Sequence, residues 1–157
     1  MNKIGVASRI LISCLIILAA DNVNAQMGRD TSRVGGGGGF FTGGTASAVR
    51  LATPPEINCG VAKVTFQPGA RTIWHSHAGG QIIVVTSGTA WYQEKGKPKQ
   101  ILKSGEAVVA APGAMHWHGA SPDGAMSHTV ATPNQDKGGV TAGGAVTDEE
   151  YKSQPGK

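Results

Sequence analysis

From Val49 to Thr132 the chain is a succession of short β-forming runs, cut at close intervals by glycine and proline. "VAKVTF", "TIWHSH", "QIIVVTSG", "TAWYQEK", "KQILKSGEAVVAAPG", "MHWHGA" and "MSHTVAT" follow one another, with "PGART" and "GKP" as turn signals between them. No segment there sustains a helical period. Regularly spaced short strands have to bury one face each, and the arrangements that do so are sandwiches and barrels. In "VAKVTF" the alternation puts Ala62, Val64 and Phe66 on one face and Lys63 and Thr65 on the other. The fold class expected is all-β, a single-domain barrel over residues 49–132.

The flanks read differently. Residues 1–25 look like a signal peptide: Lys3 and Arg9 precede the apolar "ILISCLIILAA", and "VNA" offers small residues for cleavage before Gln26. That apolar run is shorter than the roughly 20 residues a membrane helix needs, so no stable membrane span is expected after processing. Export to the periplasm or medium follows. Residues 26–48, with "GGGGGFFTGGTAS", read as a Gly-rich flexible arm that Phe40 and Phe41 could pin to the body or to a second subunit. Residues 133–157 read as a polar tail containing the flexible "GGVTAGGAV". Thr147 and Glu150 have capping-box spacing, so a short helical turn is expected there.

Removing Lys3, Arg9 and Asp21 from 14 basic and 10 acidic residues leaves 12 against 9, a formal net of +3. That charge is small and scattered, and it argues against a nucleic-acid partner. Cys59 is alone after the leader, so there is no internal disulfide and it reads as a small buried apolar residue.

All five histidines fall in strand-like runs. His75 and His77 share a face, and Gln81 keeps their parity; His116 and His118 share another, and His128 alternates with Met126 and Val130. One inward histidine is usually a hydrogen-bonded core residue. Five in a small barrel need a common partner, because each unsatisfied buried polar group costs about 1–3 kcal/mol. A metal ion supplies one.

These residues resemble the cupins, a family of small jelly-roll barrels. Gly69, His75, His77, Gln81 and Gly88 match the spacing of the first cupin motif, with Gln81 where glutamate is usual, and Pro112, Gly113 and His116 match the second. "PGARTIWHSHAGGQ", "PGAMHWHGASPDGAMSH" and "VTDEEY" are further similar to manganese-dependent bacterial cupins that act as hydroxynitrile lyases. The resemblance implies a cupin jelly roll and metal ligation by His75, His77, Gln81 and His116. It places His118 and His128 as catalytic residues in the pocket, with Thr72, Ala62, Val64 and Thr132 as substrate contacts. Ala78 and Gly79 depart from the proline and leucine common after the second histidine, which widens the expected pocket mouth. The leader is a second departure.

Three neutral imidazoles and an amide leave the charge of an ion uncompensated, which favours a divalent Lewis acid over dioxygen activation. Manganese is expected from the resemblance; Fe, Co, Ni and Zn suit the same donors. The chemistry that the resemblance implies is cyanohydrin cleavage to an aldehyde or ketone and cyanide. His128 is the first candidate for the base and His118 for positioning cyanide, with the roles exchangeable. Two other readings stand beside this one: a different cupin oxygenase or isomerase, and a non-catalytic periplasmic protein binding a metal or small ligand. Ile83, Met126 and Val130 read as ordinary inward packing. Trp74, Trp91 and Trp117 have outward parity, covering the outer sheet face or a homodimer or higher homo-oligomer interface.

Overall fold

A computed structural model describes residues 39–51 and 53–154 of the chain. The expected leader and residues 26–38 of the expected arm lie outside them. Twelve strands are described: β1 (Phe41–Thr42), β2 (Ala46–Leu51), β3 (Cys59–Phe66), β4 (Arg71–Thr72), β5 (His75–His77), β6 (Gln81–Ser87), β7 (Thr89–Glu94), β8 (Gln100–Lys103), β9 (Ala107–Ala110), β10 (His116–Ala120), β11 (Met126–Pro133) and β12 (Val140–Ala142). A single α-helix, α1 (Asp148–Lys152), follows them.

The strands form two curled antiparallel sheets, as expected of a jelly roll. One runs β2-β3-β11-β6-β9; the other runs β1-β4-β10-β5-β12, with β7 joining β10 to β8. Their inner faces carry the core, in which Phe66, Tyr92, Ile83, Val85 and Met126 are almost wholly buried. Val64 and Phe66 are buried and Ala62 packs against the same core, so the even-numbered face of β3 does point inward.

Within the described residues, both flanks contribute strands that their composition does not suggest. Phe41 lies within the expected arm, yet it pairs with Thr72 in β1–β4 and packs edge-on against Phe66 at 5.4 Å. The buried Phe41 ring has enough apolar area to fasten this short strand to the body. In the tail, β12 pairs along the whole of β5, with Val140 opposite His77 and Ala142 opposite His75.

Beyond β12 the chain covers the outer face of the second sheet. Trp74, Trp117, Val146 and Tyr151 form a buried cluster there, with Trp91 packed against it. The tryptophans' outward parity is thus used within the chain. Two buried cations fasten α1. Arg71 donates to the Val146 carbonyl at 3.0 Å, pairs with Asp148 at 2.7 Å and lies 4.4 Å from the Tyr151 ring. Lys99 donates to the Tyr151 carbonyl at 2.6 Å and stands 3.8 Å from the Trp91 ring. The Thr147 hydroxyl accepts from the Glu150 amide while the Glu150 carboxylate accepts from the Thr147 amide, a complete capping box. No helix of the described residues is long and apolar enough to cross a membrane.

Candidate metal centre

Three inner strands bring the histidines together. β4 and β5 both pair with β10, placing Arg71 opposite Gly119 and His75 directly opposite His116. Gly119 permits this, because a Cβ there would lie 2.6 Å from the Arg71 Cα. On the facing sheet, β11 shifts register against β6 between Ser127 and His128, an irregularity of the kind that re-aims a side chain. His128 ends fully buried.

Among the described residues, His75, His116 and His118 offer ligand atoms that all lie within 4.8 Å of one another. Metal–nitrogen bonds are about 2.0–2.1 Å long, so small side-chain movements would let these atoms hold one ion. His77 is outside that trio, with its ring 5.2 Å from His75 and 5.9 Å from His116 between centroids. Gln81 reaches in from the start of β6, its Oε1 3.0 Å from His116 Nε2.

The tautomers decide what these distances mean. His75 Nδ1 donates to the Ile73 carbonyl at 3.0 Å, and His116 Nδ1 donates to the Ala114 carbonyl at 2.9 Å. Each therefore keeps the Nε2 lone pair free. Gln81 Oε1 and His116 Nε2 are then two acceptors facing each other. Turning the amide would satisfy His116 alone, whereas His75 Nε2 and both nitrogens of His77 are also buried without a partner. A single cation would accept the free Nε2 of His75 and of His116, one nitrogen of His77 and the Gln81 oxygen together, so the donor set fits a divalent metal.

His118 and His128 form a second pair. His128 Nε2 and His118 Nδ1 are 3.1 Å apart, leaving His118 Nε2 and His128 Nδ1 unpartnered. Thr72 accepts from the His118 backbone amide at 3.1 Å. Its hydroxyl therefore positions β10, whatever else it touches. Val64 lies opposite His128, Ala62 opposite Val130, and Thr132 opposite Gly60, all on the inward parity of the facing sheet. At Gly79, the room expected to widen the mouth is filled by the Pro133 and Asn134 backbone; a Cβ there would collide with the Pro133 carbonyl.

Some contributors gave no sequence signal. The Ile73 and Ala114 carbonyls are backbone atoms that any residue would supply. Phe66 packs against His118 and His128, Phe40 against His75, and Tyr92 beside His116, yet each reads in the sequence as plain core or linker.

Burial holds every imidazole neutral at pH 7. It pushes His75 down to about 3, with His116 next to it adding to the effect. His77 and His128 fall to about 4, both mainly through burial. His116 is lowered by burial, partly opposed by its bond to Ala114, and His118 is lowered well below its usual value by burial and then by His128. Because the unfolded chain titrates near 6.5, it binds more protons than the folded one at intermediate pH. The stability is thus fully present above about pH 6.5 and is lost as pH falls toward 4. His128 alone accounts for about 2 kcal/mol by pH 5. Thermal unfolding of metal-free protein should shift down by about 10 °C between pH 8 and pH 5. A midpoint unchanged over that range would contradict neutral burial of the cluster.

Comparison with known proteins agrees with this architecture. The cupin domain family matches residues 62–131. A protein of Granulicella tundricola named (R)-mandelonitrile lyase is 39% identical over 113 residues, 72% of this chain and 86% of that protein. A cupin-like protein of Thermotoga maritima has a crystal structure with a TM-score of 0.71 and 45% identity, covering 76% of this chain and 90% of its own. A cupin-2 domain of Rhodospirillum rubrum, 12% identical, shares the fold at a TM-score of 0.63 over 78% of each chain.

Proposed function

This chain belongs to the cupin domain family, and from that premise we propose that it is a divalent-metal-dependent carbon–carbon lyase of hydroxynitrile-lyase type. The observation that carries the reading is a buried histidine cluster: His75, His116 and His118 offer ligand atoms within 4.8 Å of one another, unpartnered nitrogens of His77 lie close by, and His118 is also hydrogen-bonded to His128. The relative named as a mandelonitrile lyase supports the substrate class.

His75, His77, Gln81 and His116 would hold the ion, most fittingly manganese. A bound divalent cation supplies Lewis-acid polarisation of a hydroxyl oxygen. The chain's own residues do the rest. His118 presents an unpartnered Nε2, which takes the hydroxyl proton; its Nδ1–H then points to His128 Nε2, which orients the ring and steadies the resulting imidazolium. The base thus moves from His128, the first candidate in the sequence, to His118; as the carbonyl forms, the bond to the nitrile carbon breaks, and cyanide leaves with the bonding pair and takes the proton back from the His118 imidazolium. Val64, Ala62 and Thr132 line the side where the organic part would rest. The burial of the cluster excludes water and strengthens each of these interactions.

The test is cyanide release from mandelonitrile by manganese-loaded protein, corrected for spontaneous decomposition, beside His77→Ala. Release that requires both manganese and His77 is the expected result; background release from folded, metal-loaded protein would move the assignment to another cupin reaction or to ligand binding alone. Within an active enzyme, His118→Ala should retain metal and lose about 10²- to 10⁴-fold in kcat. His128→Ala should lose about 10- to 100-fold, as an orienting partner does. The reverse order would make His128 the base.

The leader read in the sequence supports export. Ile82 and Val109, directly paired on the outer sheet face, are exposed at 40% and 65% with Val84 beside them. That apolar patch supports the expected homo-oligomer, which light scattering on the purified protein measures.

A further inference from the structure

The histidine cluster shows solvent no more than a few per cent of any of its side chains. His75, His116 and His128 have no exposed surface, and His77, Gln81 and His118 keep only 4–7%. Anything that reaches these nitrogens has to displace a neighbour. Among the aromatic rings touching the cluster, Phe66 and Tyr92 are fully buried and locked in the core. Phe40 differs. Its ring meets His75 at 4.7 Å and 61°, while the residue remains half-exposed.

The attachment of Phe40 is also light. Its carbonyl accepts from the Ile73 amide at 2.9 Å, and the Ile73 carbonyl accepts from His75 Nδ1 at 3.0 Å, so a single residue holds both rings in place. The strand that follows Phe40 is only two residues long and, among the described residues, lies at the sheet edge and pairs with β4 alone. Gly43 and Gly44 come next, at φ values of +71° and +154° that other residues rarely adopt. Few backbone bonds would break if this segment lifted, which is the property of elements that open locally at low cost. Phe41 behaves as the anchor: it is 6% exposed and packs into the core against Phe66.

We infer that Phe40 is the gate of the histidine chamber and the wall that limits the size of the organic group admitted beside His75. The inference rests on reading the cluster as a metal centre, and it does not depend on which reaction the centre performs. A ligand suited to it is a small molecule with a metal-seeking oxygen and an apolar substituent that replaces water against the Phe40 ring.

The experiment compares wild type, Phe40→Ala, Phe40→Leu, Phe40→Trp and Phe41→Ala. Cobalt(II) uptake by metal-free protein is followed by its visible absorption, and metal loss by capture with a chelator. Phe40→Ala should speed uptake and loss about tenfold or more, as removal of a local opening step does. Phe40→Leu should do so less, and Phe40→Trp should slow both. Phe41→Ala should lower the thermal midpoint most while speeding exchange least, which separates a gate from general loosening. In cyanide release, Phe40→Ala should shift preference from acetone cyanohydrin toward mandelonitrile. Exchange rates of Phe40→Ala and Phe40→Leu within twofold of wild type, or equal acceleration in Phe41→Ala, would overturn the gate. Faster exchange in Phe40→Ala with no cyanide release from any variant keeps the gate and removes the lyase reading. Unchanged exchange with active wild type does the opposite.

Discussion

Replacing His116 by alanine should abolish metal retention and sharply reduce cyanide release. His116 is fully buried, stands opposite His75 in register and has Gln81 Oε1 3.0 Å from its Nε2. Removing it strips one ligand and leaves Gln81 facing a void. If the ion contributes about 4 kcal/mol to the barrier, turnover should fall about 10³-fold. Metal content after gel filtration and manganese affinity by calorimetry measure the first effect; the cyanide assay measures the second. Trp117→Phe, one residue along β10 on the opposite face, is the control and should retain metal. Full manganese occupancy in His116→Ala would remove His116 from the ligand set and turn attention to the trio's other members.

Ending the chain after Gly138 should nearly unfold it. That truncation deletes β12, which pairs with every residue of β5, and removes the amide–carbonyl pairs of Trp74 with Gly143 and Gly144 at 2.7 and 2.9 Å. It also bares the face on which Trp74 and Trp117 pack against Val146 and Tyr151, and removes the Val146, Asp148 and Tyr151 acceptors of Arg71 and Lys99. Loss of a large aromatic from a packed cluster costs about 3–5 kcal/mol. The lost pairing of β12 with β5 adds to that, in a domain whose whole stability is about 5–15 kcal/mol. Insoluble protein, or a thermal midpoint at least about 15 °C lower, is expected. Tyr151→Phe, which deletes only the hydroxyl's 2.8 Å bond to the Ala120 carbonyl, should cost about 1 kcal/mol. A truncated chain melting within about 3 °C of the full one would show that the tail is dispensable.

The contrast between these two experiments mirrors what could be read from residues alone. The sequence by itself determined the class of fold, because period-two patterning broken by glycine and proline leaves a chain of this length little choice but a β barrel. It also determined that β5 and β10 each carry a pair of same-face histidines, since alternation is a local property of extended backbone. The capping box at Thr147 and Glu150 was legible for the same reason: its bonds span three residues.

Whatever depended on contacts between distant residues was decided only by the tertiary structure. Composition made "GGVTAGGAV" look like a loose tail, yet it contains a strand of the sheet, because backbone pairing with His75–His77 asks nothing of side chains. Phe40 and Phe41 sit in what reads as one glycine-rich arm. Their destinations, one against a histidine and one in the core, follow from the position of β4. The tautomers of His75 and His116 depend on two backbone carbonyls, and the His118–His128 pair joins strands of opposite sheets. Local periodicity tells a side chain which way to face; only closure of the barrel decides what it meets there.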